Sequence, residues 1–278
     1  MHKIIYVTGI TGFIGKNLLQ HLLQKYKKVI NFTRNDTLQI YENSKIEEID
    51  ISKDFFVKNP SDRLINLATL YQPNPYSVSE LEKLIEANIL FPAGVCNYLA
   101  PNENLKIVNA LSYHQLLSFK AQNVYSLSKE LFKKFLDYQK TEIVSLYIFD
   151  TFGSGDTRNK VVDIFIKNVL TGNPITIPAN EVKINLADVQ PVCKSLIKSI
   201  DLKHGSYSIK SPDTISLEGL VQMIMEISNT KVDLKKVNVG PNYFDEIESF
   251  PENIFHEDSE YSLYGSLKAR VKEIQDDL

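Results

Sequence analysis

Short apolar runs alternate with longer amphipathic stretches through the first half of the chain. Ile4–Val7, Val29–Phe32, Lys45–Ile49, Leu64–Ala68, Lys106–Ala110 and Glu142–Phe149 have the length and β-branched content of strands. Several lack a polar residue at alternate positions, which predicts strands buried on both faces. Between them, Phe13–Tyr26, Val78–Leu99 and Ala121–Gln139 carry apolar residues at three- and four-residue intervals and are predicted helices. Strands alternating with helices predict an α/β fold built on a doubly wound parallel sheet.

Beyond Phe149 the pattern shortens, because Gly153, Gly155, Gly172, Pro174 and Pro178 interrupt it. A smaller α+β lobe is expected there. Its predicted helices are Lys160–Leu170, Val189–Ile200, Leu217–Ser228 and Ser266–Asp276, with short strands at Ile175–Ile177 and Tyr207–Ile209. The expected division is 1–158 and 159–278, with part of 183–212 returning to the first unit. No element is assigned to the acidic, aromatic stretch Gly240–Tyr261, and no internal repeat is visible.

Composition narrows the partners. A 278-residue chain that is 43% hydrophobic can bury a sizeable core, and its net charge of -3 comes from intermixed acids and bases. It offers no broad basic face for a nucleic acid, so a small charged metabolite is the expected partner. Lys25, Lys27 and Lys28 fall at a helix carboxyl end, where they complement the dipole. Cys96 and Cys193 form no CxxC pair and read as buried fillers in a reducing compartment. The run at Ile4 is too short for a signal-peptide core and no stretch reaches membrane-span length, so a cytoplasmic protein with no membrane association is expected. His2, His21, His114, His204 and His256 lack metal-ligand spacing, and no metal is expected.

Val7-Thr8-Gly9-Ile10-Thr11-Gly12-Phe13-Ile14-Gly15 follows a buried strand and opens an amphipathic helix. Glycine allows a sharp turn and close approach of a pyrophosphate, and the N–H groups of the helix start attract its charge. This turn resembles the fingerprint of the extended short-chain dehydrogenases/reductases, the NAD-dependent epimerase/dehydratase family. The resemblance implies a Rossmann-type sheet over 1–158 that binds a dinucleotide, with Gly9, Thr11, Gly12, Phe13, Ile14 and Gly15 at the cofactor. It also implies a substrate lobe mainly within 159–278. Thr33 stands where NAD-preferring relatives carry an acid, and Arg34 can pair with a 2′-phosphate, so NADPH/NADP is expected in preference to NADH. Asp50 and Ile51 match the adenine-contacting pair, Leu67, Ala68 and Thr69 a loop against the cofactor, and Asn88 an asparagine that helps position the active-site lysine.

Tyr125-Ser126-Leu127-Ser128-Lys129 places a phenol and an ammonium one helical turn apart on one face. A nearby cation favours the phenolate, which suits Tyr125 as an acid and Lys129 as its support. The family carries its catalytic tyrosine on the helix after the fifth strand, where this pair lies. Ser112 is the third member, a hydroxyl to orient a carbonyl, although the family's common double serine is not present. Where the family's dehydratases carry an Asp-Glu pair, this chain has Tyr113 and His114, which disfavours dehydration. A structural role for His114 is favoured over a second acid/base.

The run Leu146-Tyr147-Ile148-Phe149-Asp150-Thr151-Phe152-Gly153 through Arg158 and Lys160, with the strand-five end and the Tyr125 helix, is similar to bacterial CDP-abequose and CDP-paratose synthases. That similarity covers most of the chain and loosens after Lys183. It implies reduction of the 4-keto group of a nucleotide-linked deoxy sugar for surface polysaccharide. Ser112 and Tyr113 would then face the sugar, and Arg158 and Lys160 its diphosphate. Alternatives are an NAD-dependent nucleotide-sugar 4-epimerase and a non-catalytic NADP sensor. Relatives commonly pair through their fourth and fifth helices, which implies a homodimer.

Overall fold

The computed structural model describes residues 4–34, 43, 45–51, 61–117, 123–139, 141–238, 247, 249–256 and 261–278. From its amino end the chain forms β1 (Ile4–Thr8), α1 (Phe13–Lys25), β2 (Lys28–Thr33), β3 (Ile46–Asp50), β4 (Arg63–Asn66), α2 (Val78–Ile85), a π-helical turn Glu86–Leu90 and α3 (Phe91–Leu99). Next come β5 (Lys106–Ser112), a 3-10 turn Tyr113–Leu116, α4 (Val124–Asp137), β6 (Glu142–Ile148), β7 (Asp150–Phe152), α5 (Val161–Leu170), β8 (Ile175–Pro178) and β9 (Lys183–Asp188). The last elements are α6 (Val189–Ser199), β10 (Gly205–Ile209), β11 (Thr214–Ser216), α7 (Leu217–Ser228), β12 (Leu234–Val237), β13 (Glu252–Asn253) and α8 (Leu263–Asp276).

Eight parallel strands make the central sheet, in the order β13-β10-β6-β5-β4-β1-β2-β3. Successive residues of a strand face opposite ways, so Ile5 and Val7 meet α1 and α6 while Tyr6 meets α3 and α4. Leu18, Leu22, Val192 and Leu196 fill the first layer, and Val95, Leu99, Phe132 and Leu136 the second. Each such side chain contributes about 1.5–3 kcal/mol by burial. The connection from β1 to β2 runs one way across the sheet, and the chain returns to β4 on the other side of β1. A crevice is left at the carboxyl ends of β1 and β4.

The predicted helix Val78–Leu99 is two helices joined by the π turn. Pro92 explains the break, since it has no N–H to bond the carbonyl of residue 88 and its ring crowds that position. Ser77 and Glu80 form a capping box that starts α2 at the predicted residue. Asn123 caps α4, so this helix begins after the predicted Ala121, a residue outside the described ones. Ser262 caps α8, whose first residue, Leu263, lies three residues before the predicted start. Residues 189–199 pack against α1 and residues 205–209 pair with β6. Among the described residues no helix is long and apolar enough to cross a membrane.

The remaining C-terminal elements form two small sheets, β11-β9-β7 and β12-β8, under α5, α7 and α8. Arg270 of α8 is buried and donates two hydrogen bonds to Asp163 of α5, at 3.0 and 2.7 Å, and one to the carbonyl of Asp156 at 2.7 Å. Glu273, one turn on, accepts from Ser154 Oγ and from the amide of Gly155, both at 3.0 Å. The helix thereby braces the loop that follows β7. Arg270 Nη1 also pairs with Glu273 at 2.7 Å, so removing Asp163 leaves the buried guanidinium one carboxylate short. Asp163→Ala is expected to cost about 3 kcal/mol in urea unfolding, and the double change Asp163→Leu with Arg270→Met to cost less.

Candidate active site

A cleft of about 570 Å³ opens over the crevice between β1 and β4. Its floor begins where β1 turns into α1. Gly9 has φ +72°, and a Cβ there would stand 2.7 Å from the carbonyl carbon of Leu67. A Cβ on Gly15 would lie 2.2 Å from the Gly9 oxygen. Only glycine fits either place. Gly12 caps α1 without a side-chain hydrogen bond, and the first turn carries no acid. Its N–H groups and dipole are therefore directed at the cleft, an arrangement that can take the pyrophosphate of a dinucleotide.

The catalytic candidates lie at the other end. Ser128 Oγ donates to the carbonyl of Tyr125 at 2.7 Å and accepts from Asn88 Nδ2 at 2.9 Å. Asn88 also accepts from the amide of Leu70 at 2.7 Å and donates to its carbonyl at 3.1 Å. Burial raises the pKa of the Tyr125 phenol, while the neighbouring Thr69 and Ser112 hydroxyls and the Arg158 charge draw it back. Lys129 is buried and donates to the carbonyl of Ala68 at 3.4 Å. Burial pushes its pKa down to about 8.

Aromatic rings close the remaining wall. Tyr71 meets Tyr125 edge-on at 4.9 Å, Tyr113 stacks on Phe149 at 4.9 Å, and Lys160 Nζ sits 3.6 Å from the centre of the Tyr71 ring. Asp150 opens on to the cleft from dense surroundings that push its carboxyl up to about 6, opposed by the Tyr113 hydrogen bond and the Lys160 and Arg158 charges. Arg158 donates to both carboxylate oxygens of Asp156, at 2.8 and 2.7 Å, and to the carbonyl of Thr151 at 2.7 Å. Its guanidinium lies 4.1 Å from the centre of the Phe13 ring, so it spans the space between the glycine turn and the β7 loop.

Of the residues singled out in the sequence, Gly9, Thr11, Gly12, Phe13, Ile14, Gly15, Thr33, Arg34, Leu67, Ala68, Thr69, Ser112, Tyr113, Tyr125, Lys129, Arg158 and Lys160 all line this cleft. Asp50, Ile51 and Asn88 do not. Asp50 pairs with Thr33 across β2 and β3, and the amide of Ile51 donates to the Thr33 carbonyl at 3.5 Å. Asn88 backs the wall from behind, its amide spent on Leu70 and Ser128. Sequence reasoning missed Tyr71 and the role of Asp150. An acid directly after an apolar strand, at the carboxyl edge of a parallel sheet, was the signal for Asp150. Tyr71 lies in an aperiodic stretch and had none.

Among the described residues no group of three or more His, Cys, Asp or Glu side chains is placed to hold a metal ion. Lys129 makes a stability test possible. Its folded pKa of about 8 lies below the ordinary 10.5, so the unfolded chain binds more protons between those values and stability rises with pH there. Below pH 8 the buried cation costs the fold about 3 kcal/mol. Lys129→Met is expected to raise the calorimetric Tm at pH 7, and the gain should shrink between pH 8 and 10.5.

Comparison with known proteins places the chain. The NAD dependent epimerase/dehydratase family model matches residues 5–184. CDP-abequose synthase of Yersinia pseudotuberculosis is 26% identical over 286 residues, covering 96% of this chain and 99% of that protein. UDP-2-acetamido-2,6-beta-L-arabino-hexul-4-ose reductase of Pseudomonas aeruginosa is 25% identical over 246 residues, covering 85% of this chain and 60% of its own length. The fold of UDP-N-acetylglucosamine 4-epimerase from Methanobrevibacter ruminantium M1, solved with UDP-N-acetylmuramic acid, matches with a TM-score of 0.77 at 20% identity, over 100% of this chain and 99% of the other. With the family match running from the first strand into β9, the chain belongs to the NAD dependent epimerase/dehydratase family.

Proposed function

We propose that this protein is an NADPH-dependent reductase acting in the cytoplasm on the 4-keto group of a nucleotide-linked deoxy sugar, for surface polysaccharide biosynthesis. The reading rests on one observation: a single cleft joins the glycine turn to the Tyr125 and Ser112 hydroxyls, and the residues after Ser112 are Tyr113 and His114, not an acid pair. The Pseudomonas relative, by name a hexul-4-ose reductase, and the Yersinia synthase support it.

Bound NADPH would supply a hydride to the keto carbon. Gly9, Thr11, Gly12, Phe13, Ile14 and Gly15 would seat its pyrophosphate, with Leu67, Ala68 and Thr69 on the opposite wall. Thr33 and Arg34 would take the adenosine end, where a guanidinium suits a 2′-phosphate. Asp50 and Ile51 would support that end from behind Thr33, and Asn88 the lysine end through Ser128. Ser112 orients the substrate carbonyl, Tyr125 gives its proton to the oxygen, and Lys129 stabilises the phenolate left behind. Lys160 and Arg158 would attract the sugar diphosphate, and Tyr113 would face the sugar. Burial of Tyr125 favours the protonated phenol, the form an acid needs.

A homodimer is part of the proposal. Leu81 and Leu90, and Leu127 and Leu131 of α4, leave apolar side chains exposed on neighbouring helices, a face suited to a second copy. Light scattering by the purified chain should give twice the monomer mass, and Leu90→Glu with Leu131→Glu should halve it.

Screening CDP-, GDP- and dTDP-linked 4-keto-6-deoxy sugars for loss of NADPH absorbance tests the activity. Turnover is expected with at least one, and Tyr125→Phe should lower kcat by at least about 100-fold while NADPH binding persists. Interconversion of ordinary nucleotide sugars without net cofactor consumption would make the protein a 4-epimerase. Dinucleotide binding with no turnover of any sugar would make it a sensor.

A further inference from the structure

We propose that Arg158 binds the cofactor as well as the sugar diphosphate: Asp156 aims its Nη1 group at the pyrophosphate of the dinucleotide. The inference rests on the glycine turn as the dinucleotide site. It adds Asp156, which touches neither ligand, as a positioning residue.

The donors of Arg158 are divided. Nε and Nη2 donate to the two oxygens of Asp156 at 2.8 and 2.7 Å, and Nη2 also donates to the carbonyl of Thr151 at 2.7 Å. Nη1 makes no hydrogen bond to a described residue, and the side chain, 32% exposed, lines the cleft. A guanidinium is a rigid planar fork, so with one edge filled the N–H groups of Nη1 remain for a ligand.

The fork stands at the glycine turn. Its central carbon is 4.1 Å from the centre of the Phe13 ring, and Phe13 is the first residue of α1. The opening turn of that helix has no acid and no side-chain cap, so the cation lies beside the N–H groups that suit a phosphate. Other cations of the cleft are placed elsewhere. Lys160 is on the Tyr71 ring, Lys129 on the Ala68 carbonyl and Arg34 beyond the end of β2. Lys16, the other cation near the turn, is exposed to solvent, where a charge is more strongly screened.

The loop fixes this arrangement in advance. Asp156 is buried; its Oδ1 also accepts the Arg158 amide at 3.0 Å, and its own amide donates to the Gly153 carbonyl at 3.2 Å. Arg270 of α8 donates to the Asp156 carbonyl at 2.7 Å, and Asn17 of α1 donates to the Ser154 carbonyl at 3.5 Å. The carboxylate is thereby tied both to the C-terminal helix and to the helix that receives the cofactor. An arginine held this way has little freedom left to lose when it meets a phosphate oxygen. By charge alone Asp156 would repel an anionic ligand. Orientation and charge thus act with opposite signs, which makes them separable.

Calorimetric titration of the full chain with NADPH and with NADH tests this, the tighter binder serving as the probe. Arg158→Gln should raise its Kd by about 10–100-fold. Asp156→Asn should raise it by about 3–10-fold although a negative charge is removed, and Asp156→Glu, which keeps the charge but displaces the carboxylate, should weaken binding too. Once Arg158 is replaced by Gln, neither change at 156 should alter the Kd further. Phosphorus NMR of the bound cofactor should show the pyrophosphate resonances shifted between the parent and Arg158→Gln. An unchanged Kd in Arg158→Gln would confine Arg158 to the sugar diphosphate, and a resonance shift restricted to a 2′-phosphate would move it to the adenosine end; either overturns the proposal. Tighter binding in Asp156→Asn, or effects at 156 and 158 that simply add, would overturn the positioning role. Failure of the parent to reduce any keto sugar would sink the reductase reading alone, because these binding constants need no turnover.

Discussion

Across the carboxyl ends of β1 and β4 and the middle of β5 three buried side chains are hydrogen-bonded in a row, and the site is built outward from them. Thr8 Oγ1 donates to Asn66 Oδ1 at 2.6 Å, Asn66 Nδ2 donates to Asn109 Oδ1 at 2.9 Å, and the Thr8 hydroxyl accepts the amide of Ala68 at 3.1 Å. Between buried strands these bonds favour one register and penalise a slip, at the cost of leaving Asn109 Nδ2 buried without a partner. Thr8 directly precedes the glycine turn, Asn66 precedes the loop that carries Thr69, and Asn109 lies three residues before Ser112. One polar row thus sets the relative positions of the cofactor floor and the catalytic hydroxyls.

A second connection ties the helical layer to the same loop. Asn88 sits in the π turn that Pro92 makes necessary, holds both backbone groups of Leu70 and reaches Ser128 on the helix of Tyr125. The irregularity in the helix is therefore what lets one amide serve two elements. On the opposite side, Arg270 and Glu273 brace the β7 loop that carries Arg158. The cleft is held from three directions by groups that do not themselves enter it.

Features set by neighbours in the chain could be read from sequence. The glycine turn, the paired faces of the strands and the one-turn spacing of Tyr125 and Lys129 are local, and each followed from steric or helical geometry. What escaped depends on residues far apart. Thr8 and Asn66 are 58 positions apart, Asp163 and Arg270 107, and no periodicity announces either pairing. The ends of β4 and α8 were misjudged because one hydrogen bond, from the amide of Ala68 or to the hydroxyl of Ser262, decided them.

The electrostatic design of the cleft follows from its burial. Lys129, Arg158 and Lys160 bring positive charge to a cavity walled by aromatic rings, while Tyr125 and His114 are held neutral by the same enclosure. Such a place suits an anionic ligand whose reacting carbonyl gains charge only in the transition state. A crystal structure with NADP and a 4-keto sugar nucleotide tests this account most directly. It predicts the pyrophosphate against the N–H groups of residues 12–15 and the nicotinamide beside the Tyr125 phenol; a dinucleotide bound elsewhere, or a phenol turned to bulk solvent, would contradict it.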